Sequence, residues 1–153
     1  MIESMAWGVF LTLVTVGLHI LGLVHLGRLL GLLMPPPSIT GSPQRATFLS
    51  VAVLLMILLH FVGAALWALF YLWSGEFESF QTALYFSVVT ATTLGYGDLT
   101  LSESWRLLAV FEAMSGLLLF GASTAAVFQL MVKTLPDPLE ARLKAQASDP
   151  DRA

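Results

Sequence analysis

The chain has 153 residues, of which 57% are hydrophobic and 11% charged, with a net charge of −3 and no cysteine. So apolar a composition excludes a soluble domain of this size, and the long uncharged runs point to membrane spans. The lack of cysteine excludes disulfides and thiolate metal sites, and the small net charge carries no nucleic-acid signal.

Residues 1–34 read as a first transmembrane helix. The start, Met1-Ile2-Glu3-Ser4-Met5, is acidic where a secretory signal is basic, and the apolar run from Ala6 to Met34 is too long for a signal core. At about 1.5 Å per residue the run exceeds a ~30 Å hydrocarbon core, so tilt or an interfacial end is expected. His19, His25 and Arg28 interrupt it. One reading is a proton or ligand sensor, or a haem or metal pair. The better reading is that Arg28 snorkels and that a six-residue spacing keeps the two histidines off a common face. Residues 35–46 form a cytoplasmic loop, because Pro35-Pro36-Pro37 cannot continue a helix and Gly41-Ser42-Pro43 marks a turn. The second span, residues 47–73, carries His60 as its sole ionisable side chain, expected to be buried and hydrogen-bonded. Trp67, Tyr71 and Trp73 near its end fit an aromatic belt at the outer interface.

Residues 74–78 make a short acidic turret, and Ser79 opens a helical stretch over 80–92 that is too short to cross a bilayer. It reads as a re-entrant pore helix whose carboxyl end turns its negative dipole toward a central cavity. Thr92-Thr93-Leu94-Gly95-Tyr96-Gly97-Asp98 follows at once, with the filter at 93–98. Non-helical backbone at membrane depth is tolerable only where protein buries it or where it lines a watery path. Glycine reaches positive φ without a Cβ clash, so glycines alternating with other residues can turn successive carbonyls to one side. Four copies around an axis then make rings of oxygens from Thr93, Leu94, Gly95 and Tyr96, with Gly97 completing the strand and the Thr93 hydroxyl at the inner end. Such rings replace the hydration shell of a potassium ion. Leu94 and Tyr96 side chains point away and hold the ring by packing.

The third span covers residues 104–133. Glycines inside a helix cost about 1 kcal/mol each relative to alanine, so Gly116 and Gly121 need a reason. A hinge is one, and close packing through small residues is the other. Leu117, Phe120, Thr124 and Phe128 share one face with Gly116, which is expected to line the cavity, Phe128 serving as the apolar constriction. Glu112 lies one turn above Gly116, at filter depth. It either bonds the pore helix or filter backbone of its own or the next subunit, or is a carboxyl kept neutral by burial. The tail, residues 134–153, is short and polar, with a brief helix expected over Leu139–Ala147.

On these residues the chain resembles the pore domain of prokaryotic potassium channels of the two-helix-plus-pore-loop type, whose filter reads Thr-Val-Gly-Tyr-Gly-Asp or a near variant. Leu94 stands where valine is usual. The likeness runs from Ala83 through Ala91 upstream and down to Gly116 and Gly121, covering residues 47–133, with residues 1–34 as an added helix. It implies an all-α membrane protein with three transmembrane helices, a re-entrant pore helix and a filter loop, assembled as a homotetramer. It implies passive potassium conduction, no enzymatic activity and no cofactor besides the permeant ion. Filter support falls to Tyr85, Thr92, Asp98 and Glu112, with Tyr85 bonding Asp98 from behind. Many bacterial relatives carry a carboxylate where this chain has Val89, so behaviour that depends on that acid is not carried over. Phe86 likewise lacks a donor.

Two rivals to a selective channel are a poorly selective cation pore, which Leu94 and the missing acid allow, and a non-conducting sensor or subunit. No helix with regularly spaced arginines and no ligand-binding domain is visible. Arg28, Arg45, Lys133, Arg142, Lys144 and Arg152 flank one side and Glu3, Glu76, Glu78, Asp98 and Glu103 the other. The positive-inside tendency puts the loop and C-terminus in the cytoplasm and the N-terminus and pore mouth outside the cell (inner or plasma) membrane. The acids there concentrate cations. Expected partners are membrane lipid, potassium ions and further copies of the chain.

Overall fold

Inside a bilayer a backbone N–H or C=O has no water to bond, so an apolar run persists there as a helix closed on its own hydrogen bonds. The computed structural model, which describes residues 2–33 and 42–134, is built that way. Four helices follow in chain order: α1 (Ile2–Leu33), α2 (Ser42–Trp73), α3 (Phe80–Ala91) and α4 (Arg106–Thr134), with no strand among the described residues. Ile2–Leu32, Pro43–Trp73 and Arg106–Lys133 are long and apolar enough to cross a membrane. With 12 residues α3 is not, and it packs against α2 and α4. The protein is an all-α, multi-pass membrane protein.

The loop expected to reach residue 46 gives way to helix at Ser42. Pro43 stands in the first turn, where its missing N–H costs nothing and its fixed φ suits a helix. The Thr47 hydroxyl donates back to the Pro43 carbonyl at 3.0 Å. The Ser-Pro pair therefore opens the helix rather than turning the chain. The triple proline and the helix expected over Leu139–Ala147 lie outside the described residues.

α1 and α4 run side by side in the same sense, and α2 runs against both. A Cβ at Gly8 would fall 2.4 Å from the Phe111 ring, and one at Gly22 would fall 2.6 Å from Leu59. Lipid is as apolar as leucine, so helices associate in it through such close packing and through interhelical hydrogen bonds. The buried core sits at the end of the bundle that carries the 74–79 turn, around Trp67, Phe70, Tyr71, Phe86, Leu101 and Leu108. Trp7 lays its ring 5.1 Å from Phe70 and 5.5 Å from Trp73, and Tyr71 meets Phe86 edge-on at 5.3 Å. These aromatic pairs tie α1 and α3 to α2. Two residues assigned to an aromatic belt are thereby core: Trp67 and Tyr71 are 1% and 0% exposed, and Trp73 alone of the three faces outward.

A polar knot joins the three spans lower down. His19 Nε2 lies 2.9 Å and His60 Nε2 3.1 Å from Ser123 Oγ, with the imidazoles 4.6 Å apart. The hydroxyl donates to one ring and accepts from the other, so a single side chain of α4 satisfies one nitrogen each from α1 and α2. His25 takes no part; its Nδ1 is 2.8 Å from the Leu21 carbonyl, as the spacing from His19 implies. Ser123→Ala is expected to remove about 1 kcal/mol of stability. A lower thermal midpoint of the purified protein in detergent, without loss of helix signal, is the measurement.

Candidate functional site

The short helix is built to deliver the loop after it. Ser79 caps α3, its side chain accepting from the Thr82 N–H at 3.2 Å, which satisfies one of the donors left open at a helix start. At the other end the open carbonyls are spent on the loop. Thr92 N–H bonds Val88 O at 3.0 Å, Thr93 N–H bonds Thr90 O at 2.9 Å, and Leu94 and Gly95 both reach Val89 O, at 3.0 and 3.3 Å. The Thr92 hydroxyl adds a bond of 2.7 Å to Val88 O. The loop is thus fastened to the helix by its N–H groups, leaving its carbonyls elsewhere.

From there every second residue is left-handed. Thr93, Gly95 and Gly97 have φ of 59°, 53° and 77°. For the glycines this is free; for a β-branched threonine it is a genuine outlier, costing about 1–2 kcal/mol and held by the bonds just described. Among the described hydrogen bonds none ends on the carbonyl of Thr93, Leu94, Gly95 or Tyr96. Residues 92–98 are all exposed in the protomer, Leu94 by 54% and Tyr96 by 66%. An apolar leucine, a tyrosine and four unspent carbonyls on the surface of a membrane protein make an incomplete structure. Carbonyl oxygens in this density suit a dehydrated alkali cation.

Struts hold the loop from behind. The Tyr85 hydroxyl donates to Asp98 Oδ2 at 2.8 Å, and that bond raises the phenol above its ordinary range. Glu76 accepts from both the Ser102 N–H and hydroxyl, each at 2.7 Å, tying the turret to the start of the third span. Glu112 is fully buried. Tyr71 of α2 donates to its Oε2 at 2.6 Å, and Ser87 of α3 meets its Oε1. Ser87 Oγ also lies 2.8 Å from the Ala64 carbonyl. Ser87 has one proton for two acceptors. All contacts close together if Glu112 carries a proton and donates it to Ser87, which then donates to Ala64. Phe86 is buried on Tyr71, and Val89 is buried with no acid at its place.

Gly116 is where α4 touches the end of α3: a Cβ there would lie 2.1 Å from the Ala91 carbonyl oxygen. Gly121 has open space beside it. Leu117, Thr124 and Phe128 are exposed on the protomer, Thr124 bonding back to the Phe120 carbonyl at 2.8 Å. Phe120 differs from them, since its ring stacks on His60 at 4.0 Å. Sequence reasoning passed over Ser87 and Ser102. The available signal was that a buried carboxyl needs donors, and Ser87 is a hydroxyl in an otherwise apolar stretch of α3.

A family model described as ion channel matches residues 48–133, more than half of the chain. The match takes in α2, α3, the loop and α4 and leaves α1 outside. The voltage-gated potassium channel Kch of Escherichia coli (strain K12) is 40% identical over 57 residues, 37% of this chain and 14% of that relative. The chain thus spans a small fraction of the relative's length. No solved structure matches. Helices, loop and family match together make this chain a member of the ion-channel family, of the prokaryotic potassium-channel pore-domain type with two helices and a pore loop, preceded by an additional transmembrane helix.

Proposed function

We propose that four copies of this chain close a potassium-selective pore through the Thr93-Leu94-Gly95-Tyr96-Gly97-Asp98 filter and conduct K⁺ passively, with no cofactor and no catalytic step. The observation that carries the reading is the alternating positive φ at Thr93, Gly95 and Gly97 in a strand whose carbonyls are unspent. Four such strands give stacked rings of Thr93, Leu94, Gly95 and Tyr96 oxygens that stand in for water around a dehydrated ion. The exposed Leu94 and Tyr96 side chains then pack against the neighbouring subunit. Leu117, Thr124 and Phe128 line the cavity below, Phe120 standing beside them with its ring on His60. The basic ends of the first loop and of α4 put these in the cytoplasm, with the N-terminus and the Glu76–Asp98 face outside.

Potassium efflux from liposomes holding the purified protein tests this. K⁺ flux is expected, with Na⁺ flux at least about a hundredfold lower, and Gly95→Ala is expected to abolish it because alanine resists φ of 53°. Equal passage of Na⁺ overturns selectivity while leaving the pore. A tetramer with no flux at any voltage or pH overturns conduction and favours a sensor or subunit.

A further inference from the structure

The knot formed by His19, His60 and Ser123 has a definite order of protons. Ser123 Oγ lies 2.9 Å from His19 Nε2 and 3.1 Å from His60 Nε2, and the hydroxyl has one proton to give. His19 Nδ1 is buried without a hydrogen-bond partner. A proton placed on it would bury an N–H with nothing to donate to, so His19 carries its proton on Nε2. His19 therefore donates to Ser123, and Ser123 donates to a bare Nε2 on His60. Two neutral rings and one hydroxyl hold three helices together.

No nitrogen in the knot takes a further proton without loss. On His19 Nδ1 it makes a buried donor with no acceptor. On His60 Nε2 it fills the nitrogen that Ser123 donates to, and two N–H groups then face one oxygen. His60 is the ring that water can reach, because it is half-buried and lines the cavity beside Phe120, whereas His19 is 2% exposed. The Phe120 ring stacked on it at 4.0 Å also favours a cation there. A charged N–H is a stronger donor than a neutral one, so His19 is the ring displaced from Ser123.

No opposite charge among the described residues faces the knot. On α1 the nearest ionisable group is His25, whose ring turns to the Leu21 carbonyl. α2 has no other ionisable side chain between Arg45 and Tyr71, and the Tyr85 of α3 is held at Asp98. On α4, Glu112 and Lys133 each stand about three turns, or ~15 Å, from Ser123. Glu112 is already bonded by Tyr71 and Ser87. A charge so placed in hydrocarbon is relieved by admitting water, which requires the helices to part.

We propose that the knot is a proton-sensitive clasp: a proton on His60 displaces His19 from Ser123 and unfastens α1 from α4. The clasp stands whether or not the filter conducts, since all its parts lie in one protomer.

The test uses full-length protein in lipid nanodiscs, labelled with ¹⁵N-histidine. The chain has 3 histidines, so single His→Gln variants assign the spectrum. At about pH 8, His19 is expected to be protonated on Nε2 and His60 on Nδ1; by about pH 4, His60 is expected to be an imidazolium. A nitroxide at Ile20→Cys, on the exposed face of α1 in a chain without other cysteines, reports whether the helix comes loose. Its spectrum is expected to gain a mobile component over the same acidification. His60→Gln is expected to abolish that gain and His25→Gln to keep it. Ser123→Ala, which removes the shared hydroxyl, is expected to show the mobile component at both ends of the range. Size exclusion checks that each variant keeps the parent's assembly. The opposite tautomers at about pH 8, or a His60 still neutral at about pH 4, overturn the proton order and with it the clasp. An imidazolium at His60 with no change in label mobility overturns the release of α1. A mobility gain that survives in His60→Gln belongs to another acid and overturns the proposal as well.

Discussion

Gly116→Ala is expected to break the seat of α4 on α3, and with it the proposed pore, although it adds one methyl group. The new Cβ would sit 2.1 Å from the Ala91 carbonyl oxygen, a backbone atom that cannot rotate away. Relief requires α4 to move off α3, at a cost of about 3 kcal/mol or more. Ala91 is the last residue of α3, and the carbonyls just before it anchor Thr92, Thr93, Leu94 and Gly95. A shift there is passed directly to the strand over residues 93–97. Loss of the oligomer on size exclusion and loss of liposome K⁺ flux are the expected readings. Gly121→Ala is the control, because it has open space and removes a helix-weakening glycine. It is expected to keep the protein folded. If Gly121 bends during opening, flux falls in this variant with the oligomer intact; unchanged flux excludes that role.

Glu112→Leu is expected to destabilise the protein by about 3 kcal/mol, since it leaves the buried Tyr71 hydroxyl with no partner and strips one contact from Ser87. Glu112→Gln should cost much less. An amide in the same place accepts from Tyr71 and donates to Ser87, as the proton count on Ser87 asks of the native carboxyl. Thermal unfolding of the three proteins in one detergent separates the possibilities. If glutamine is as damaging as leucine, a carboxylate charge is required and Ser87 donates to it instead of to Ala64. Tyr71→Phe, which removes one hydroxyl from the same network, is expected to fall between the two.

Helix number and the place of the glycine-alternating loop were readable from the chain because each is set locally. Thirty-residue apolar runs must be helices in lipid, and a glycine-alternating strand after a capped short helix has few other conformations. The Tyr85–Asp98 bond came within reach through resemblance. What escaped was set by contacts distant in sequence. Trp67 and Tyr71 have the composition and position of an interfacial belt, and only the approach of α1, α3 and α4 makes them core. Ser123 looks unremarkable until His19, 104 residues earlier, is laid against it. Glu112 announced that something was unusual, yet its partners sit on two other helices. The early start of α2 was a local matter, misjudged because Ser-Pro serves equally as a turn and as a helix opening.

The knot at Ser123 has a mechanical consequence. It lies about two helical turns beyond Gly116, on the part of α4 that must swing if the inner end of a pore is to widen. In water such bonds could be exchanged for solvent during the swing, but in hydrocarbon there is nothing to exchange them with. The lower arm of α4 can therefore leave its seat by dragging α1 and α2 along or by breaking both imidazole bonds together. The leading helix thus acts as an outrigger. Any displacement of α1 along this seam is passed to α4 through the His19–Ser123 contact, and any displacement of α4 is passed back.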